Sequence, residues 1–154
     1  MKRAVVVYDS VYGNTEAVAR AIAEGLGAQW TVEARVARVD AIRPENVAGN
    51  DIIVLGSPTH FGSPTRAMRR AIYRLGRSDG AGKRIAVFDT CFEADRGKAT
   101  GMMEDRLARA LPGARVVSPA LSAIVTGMKG PLKDGELERS REFGSRVLAA
   151  AMTG

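Results

Sequence analysis

Two kinds of segment alternate along the chain. Residues 4–8, 52–55 and 85–88 are short runs that are apolar at every position and rich in Val and Ile. Runs of this length, apolar on both faces, suit strands buried between two helical layers. Residues 32–36, Val-Glu-Ala-Arg-Val, alternate instead, as an edge strand does. Between them lie stretches of helical period. Residues 15–26 put Val18, Ala21, Ile22, Gly25 and Leu26 on one face, and residues 65–75 do so with Met68, Ala71, Ile72 and Leu75. Residues 100–111 align Met103, Leu107, Ala110 and Leu111, and residues 135–152 align Leu137, Phe143, Val147 and Leu148. Residues 44–50 are poorly periodic and predict a turn or two of helix. Residues 116–125 read as a strand interrupted at Pro119, because proline cannot donate to the ladder. The order is a strand followed by a helix, repeated through the chain. It predicts one α/β domain over residues 1–154, a parallel sheet with right-handed crossovers and helices on both faces. Ligands of such sheets sit beyond the carboxyl ends of the strands, so the loops after the first, third, fourth and fifth strands are the place to search.

Composition narrows the chemistry. The 154 residues carry a formal charge of +6, with one cysteine and one histidine. Cys91 alone cannot form an internal disulfide, and with His60 it cannot complete a four-ligand zinc site. The longest apolar run, residues 147–152, is far short of the roughly 18 residues that span a bilayer. The apolar stretch after Met1-Lys2-Arg3 ends at Asp9, too early for a secretory signal. The expectation is a metal-free cytoplasmic protein. Its pI near 10 raises the question of nucleic acid. Stacking aromatics and base-reading motifs are missing, which argues against it.

The first strand runs into Asp9-Ser10-Val11-Tyr12-Gly13-Asn14-Thr15-Glu16. Hydroxyls at Ser10 and Thr15, with Gly13 permitting the turn, would surround a helix N-terminus and cradle a phosphate by neutral donors and the helix dipole. Gly80-Ala81-Gly82-Lys83-Arg84 is no nucleoside-triphosphate loop, since it lacks the first glycine and the Ser/Thr and precedes a strand. The loop Tyr8-x-Ser10-x-x-Gly13-Asn14-Thr15-Glu16 resembles the FMN phosphate loop of the flavodoxin family, Thr/Ser-x-x-Gly-Asn-Thr. The resemblance extends over nearly the whole chain. It implies a flavodoxin-like doubly wound sheet of five parallel strands, in the order 2-1-3-4-5, and FMN as cofactor. Ser10, Tyr12, Gly13, Asn14 and Thr15 would then lie at the phosphate.

Gly56-Ser57-Pro58-Thr59-His60-Phe61-Gly62-Ser63-Pro64 resembles the second flavin loop of flavodoxins and, in its Pro-Thr-x-Phe-Gly core, that of flavodoxin-like quinone reductases. By that resemblance Pro58, Thr59, His60, Phe61 and Gly62 border the isoalloxazine. The tryptophan that flavodoxins often stack there is missing; Trp30 belongs with strand two, and stacking falls to Phe61 or His60. Thr90, Cys91 and Phe92 occupy the third flavin loop, where Phe92 replaces the usual tyrosine. Cys91 reads as a small packing residue and Lys129, in the loop after the last strand, as part of a solvated turn. No acid–base dyad or nucleophile–base pair is visible, so no catalytic residue is assigned.

Arg66, Arg70, Arg74 and Arg77 recur at helical spacing beside Arg69, opposite the apolar face of their helix. They form either a solvated face or a docking strip for redox partner proteins with an acidic surface, or for the phosphates of NAD(P)H. The resemblance implies a one-electron carrier between a reductase and an acceptor. The alternatives are an FMN-dependent NAD(P)H:quinone-type oxidoreductase or flavin-dependent oxidase, and a binding module that has lost the flavin. Flavodoxins are commonly acidic, so the charge of +6 would favour the reduced, anionic ring and raise its potential.

Overall fold

The apolar runs become strands because both of their faces are covered. In the computed structural model, which describes residues 1–41 and 43–153, β1 (Lys2–Tyr8), β2 (Val32–Arg38), β3 (Ile52–Pro58) and β4 (Arg84–Cys91) are joined by α1 (Asn14–Gly27), α2 (Pro44–Ala48) and α3 (Arg66–Leu75). After them come α4 (Lys98–Ala110), β5 (Arg115–Val116), β6 (Leu121–Ile124) and α5 (Glu136–Met152). The strands are parallel in the order β2-β1-β3-β4-β5, with β6 paired to β4 farther along the β5 edge. The expected α/β sheet with order 2-1-3-4-5 and helices on both faces is therefore present, with one change. The fifth strand is two short pieces, Arg115–Val116 on Arg84–Ile85 and Leu121–Ile124 on Phe88–Cys91, separated by the Ser118–Pro119 corner.

Alternate residues of each strand feed two separate cores. Ala4, Val6, Ile52, Val54, Ala86 and Phe88 pack under α1 and α5 against Val18, Ile22, Leu26, Phe143 and Val147. Val5, Val7, Ile53, Leu55, Ile85 and Val87 point the other way, to Met68, Ile72, Leu75, Met103 and Leu107 of α3 and α4. Each buried Val, Ile, Leu, Met or Phe among them contributes about 1.5–3 kcal/mol over its exposed state, so the sheet is anchored twice over. Trp30, expected within strand two, sits just before it, exposed and at φ 60. Among the described residues no helix is long and apolar enough to cross a membrane.

The two helices on the first face meet through backbone. A Cβ at Gly25 would strike the Arg141 carbonyl, and one at Gly144 would strike that of Ile22. Gly144→Ala gains about 1 kcal/mol of helix propensity. The overpacking costs about 1–3 kcal/mol, at the high end here because backbone cannot move aside as a rotamer does. We expect a net loss of about 1–2 kcal/mol, read as a lower urea midpoint at unchanged slope. In α4 nothing lies within 4 Å of a Cβ at Gly101, so Gly101→Ala should raise the midpoint.

Candidate functional site

The β3–β4 pairing continues to Pro58 opposite Thr90, so the loops that follow leave the sheet side by side. Pro58, Thr90 and Cys91, expected in loops, are thus the last residues of strands. Thr59 N donates to Thr90 O at 2.9 Å and ties the two loops together. Thr90 Oγ1 lies 2.8 Å from Thr15 Oγ1, which fastens the start of α1 to the end of β4.

The first loop is built around its own polar atoms. Ser10 N donates to Asp9 Oδ1 (2.9 Å), and Gly13 N donates to Ser10 Oγ (3.0 Å). Arg38, at the end of β2, donates to Ser10 O at 3.0 Å and stands 3.6 Å from Asp9 Oδ1. Gly13, at φ 91, is the N-cap of α1, and no side chain caps the helix. The first-turn amides therefore remain for a ligand or solvent. At the corresponding end of α4 one first-turn amide is taken, since Thr100 N donates to Asp89 Oδ2 (3.3 Å), and Gly97 N donates to Ser122 Oγ (3.1 Å). Arg20 beside Glu16 holds that carboxyl below its ordinary range, so it stays ionised and paired at the helix surface.

In the second loop His60 and Ser63 exchange hydrogen bonds of 2.8 and 3.0 Å across Phe61 (φ 52) and Gly62 (φ 77). Positive φ at both central residues makes a tight mirror-image turn. Glycine adopts it freely, whereas a bulky residue gives up about 1–2 kcal/mol. Phe61 is thereby held at the tip, fully exposed.

These loops line one cleft of about 90 Å³. The first loop supplies Ser10, Tyr12, Asn14 and Thr15, the second Pro58, Thr59 and His60, and the third Thr90, Cys91 and Phe92. Of the expected site residues only Gly13, Phe61 and Gly62 do not line it; they are the helix cap and the turn tip. Thr59 Oγ1 is buried there without a partner. The enclosed volume is well under the 300 Å³ or more of a typical small-molecule pocket, so a ligand here keeps much of its surface in the open. A larger cleft of about 470 Å³ lies between α2 and α3, but the apolar residues of its floor, such as Val7 and Leu55, are already sealed.

The loop after β6, read from the sequence as a solvated turn at the carboxyl edge, contributes to the cleft. Val125 and Met128 line the cleft, Lys129 O accepts from Asn14 Nδ2 (3.2 Å), and Lys129 Nζ stands 5.9 Å from the Tyr12 ring centroid. Lys129 therefore touches the first loop through its carbonyl and holds its cation over Tyr12, at the rim of the cleft rather than in a free turn. Its position after the last strand was the available signal. Cys91 is buried as expected. Burial and the neighbouring Asp89 push its thiol up to about 12, so it cannot act as a nucleophile at neutral pH.

A family model described as flavodoxin matches residues 6–143. The chain is 36% identical over 70 residues to a flavodoxin of Aquifex aeolicus (strain VF5), covering 46% of this chain but only 38% of that protein. It is 25% identical, over 97% of its own length and 79% of the other's, to NAD(P)H dehydrogenase (quinone) 3 of Rhizobium meliloti (strain 1021). Among solved structures, oxidised Flavodoxin 2 from Bacillus cereus superimposes with a TM-score of 0.82 at 26% identity, over 96% of this chain and 99% of that one.

Cys91 supplies a test of the site as folded. Raising a thiol from 9.0 to about 12 cuts its thiolate fraction at pH 8 about a thousand-fold. The greater nucleophilicity of the rarer thiolate returns part of this, leaving a factor of roughly 50 before access is considered. Iodoacetamide should therefore label the native protein at least about 50-fold more slowly than the urea-unfolded chain, read by intact mass.

Proposed function

The chain belongs to the flavodoxin family, whose members bind FMN, and from that premise we propose that it is an electron carrier. It holds FMN non-covalently in the cleft and passes electrons between a reductase and an acceptor. The observation that carries this reading is the uncapped α1 N-terminus opening into the cleft that the other two loops line. The residues present fit the cofactor. The amides after Gly13, with Ser10, Asn14 and Thr15, offer phosphate donors, and Lys129 adds a charge beside them. Tyr12, Pro58, Thr59, His60, Phe92 and Met128 offer apolar walls and hydrogen bonds for the ring, with Phe61, Gly62 and Cys91 next to them. The flavin supplies the redox chemistry when bound; the protein's part is binding, orientation and electrostatics. That division accords with a site whose one thiol is suppressed and whose polar groups hold the loops.

The partner's chemistry is read from α3. Arg66, Arg70, Arg74 and Arg77 are exposed, α3 holds no acidic residue, and among the described residues no ion pair engages them. The helix follows directly from the His60–Ser63 turn, so an acidic partner docking along it meets the cleft at its end. Cytoplasmic residence accords with the single cysteine. The quinone-dehydrogenase relative, aligned over nearly the whole chain, favours a second reading in which NAD(P)H itself reduces the flavin.

Charge-assisted hydrogen bonds contribute about 1.5–3 kcal/mol each, so two of them on the phosphate should make FMN bind at least about 100-fold more tightly than riboflavin. Lys129→Met should narrow that ratio by weakening FMN alone; equal affinities, measured by fluorescence titration, would remove the phosphate cradle. On anaerobic mixing with NADPH, the carrier should stay yellow for minutes without a reductase, while rapid bleaching selects the second reading. Transfer to an acidic acceptor protein should slow as salt rises, and Arg70→Glu/Arg74→Glu should slow it at low salt.

A further inference from the structure

One titratable group beside the cleft has no part in the carrier chemistry described so far. Asp89, the third residue from the end of β4, is completely buried, and its Oδ1 has no hydrogen-bond partner. Its side chain lies on the α4 side of the sheet, opposite to Phe88 and Thr90. Four groups surround it: Thr100 N on α4, the Ser122 hydroxyl on β6, the Cys91 thiol on its own strand and the Thr59 hydroxyl after β3. Cys91 and Thr59 also line the cleft. Cys91 is the only titratable group among these four. On the adjoining segment Arg96 and Lys98 are engaged by Glu93 and Asp95, and no ion pair reaches Asp89 among the described residues. β3 offers only Ser57 opposite it.

Capping α4 accounts for one carboxyl oxygen and leaves the other without a partner. That atom and Thr59 Oγ1 are both buried and unpartnered, although the two side chains neighbour each other. A buried, unpaired carboxylate oxygen is costly, and protonation removes the cost. Resting on the FMN reading, we propose that Asp89 is a redox-linked proton site, taking up one proton when the flavin in the cleft is reduced and releasing it on reoxidation.

The balance is simple. The electron comes from the flavin's donor and the proton from water in the cleft, and the only change on the protein is carboxylate plus proton to carboxylic acid. Thr59, which lines the cleft and neighbours Asp89, marks the side from which the proton enters. Burial lifts the Asp89 carboxyl above its ordinary range, while the polar groups of Ser122, Thr100, Cys91 and Thr59 around it pull it partly back. Negative charge added next to it lifts it again. Between its two values, with the flavin oxidised and reduced, the midpoint potential must fall with pH by the slope of one additional proton. Above that window the ionised carboxylate holds the potential down.

The experiment uses the FMN-loaded full chain, with potentials measured from pH 5 to 9 for the native protein and Asp89→Asn. Asparagine can still accept from Thr100 N, so a purely capping role predicts little change in either stability or potential. The proposal expects the additional slope to vanish in Asp89→Asn. At the alkaline end the variant's reduction equilibrium should rise about ten-fold, which is about 59 mV for one electron. Should the variant fail to fold, reduced-minus-oxidised infrared difference spectra of the native protein decide. A protonated-carboxyl band gained on reduction supports the proposal, and no such band at any pH overturns it. Unchanged slope in a folded, FMN-loaded variant overturns it and leaves the carrier reading intact. Failure of the native chain to take up FMN overturns both.

Discussion

A parallel sheet sends every strand's carboxyl end to the same edge, and here the β3–β4 ladder continues two or three residues past the apolar core. The side chains at that margin are polar and sealed from water: Ser57, Asp89, Thr90 and Ser122 are each less than a tenth exposed. Buried polar groups must find partners, and these find them in the loops. Thr65 N donates to Ser57 Oγ (2.9 Å), Gly97 N to Ser122 Oγ (3.1 Å) and Thr100 N to Asp89 Oδ2 (3.3 Å), while Thr90 and Thr15 share a hydroxyl contact of 2.8 Å. The loops of the cleft are therefore pinned by the needs of the strand ends before any ligand arrives. Preorganisation of this kind spares a cofactor the entropy of ordering its own site.

The fastening is uneven, and the exception is local. Phe61 and Gly62 touch the framework through the His60–Ser63 pair, and Phe61 occupies a backbone region unfavourable to it. Strain held at an exposed aromatic next to a binding cleft is the arrangement from which a loop can rearrange at small cost. Electrostatics are distributed in the same uneven way. Exposed pairs such as Glu16–Arg20 and Arg141–Glu24 hold cations on other elements at little energetic consequence. The arginines of α3 are left uncompensated among the described residues, so part of the excess positive charge lies on the helix that leaves the second loop.

The core was readable because a run of four or five residues, apolar at every position, is too short for a helix and needs cover on both faces as a strand. Strand ends were not, since Ser57, Asp89 and Thr90 look like loop residues until the register shows them at the margin of the ladder. The split of the last strand was foreshadowed at Pro119 but not its pairing, which depends on β4 being long enough to hold two short partners. The first-loop hydroxyls were found because a helix N-terminus after a strand has a local pattern. Lys129 was read as part of a solvated turn because its contact with Asn14 spans 115 positions. Nothing local distinguishes it from the other basic residues of a basic chain. Asp89 was missed for the same reason as the strand ends.

That omission changes the expected effect of net charge on the flavin. A charge of +6 spread over the surface suggests a raised potential. An exposed arginine about 10 Å from the ring contributes roughly 0.4 kcal/mol in water, before screening by salt. A charge at the same separation inside the protein, where the effective dielectric constant is about 20, contributes roughly four times as much. One ionised carboxylate behind the cleft thus offsets about four exposed arginines at that distance, and more than four once salt screens them. If Asp89 titrates with the flavin's redox state, a single buried group weighs on the field at the cleft as much as several surface charges, and the surface charge is left to act on the approach of partners.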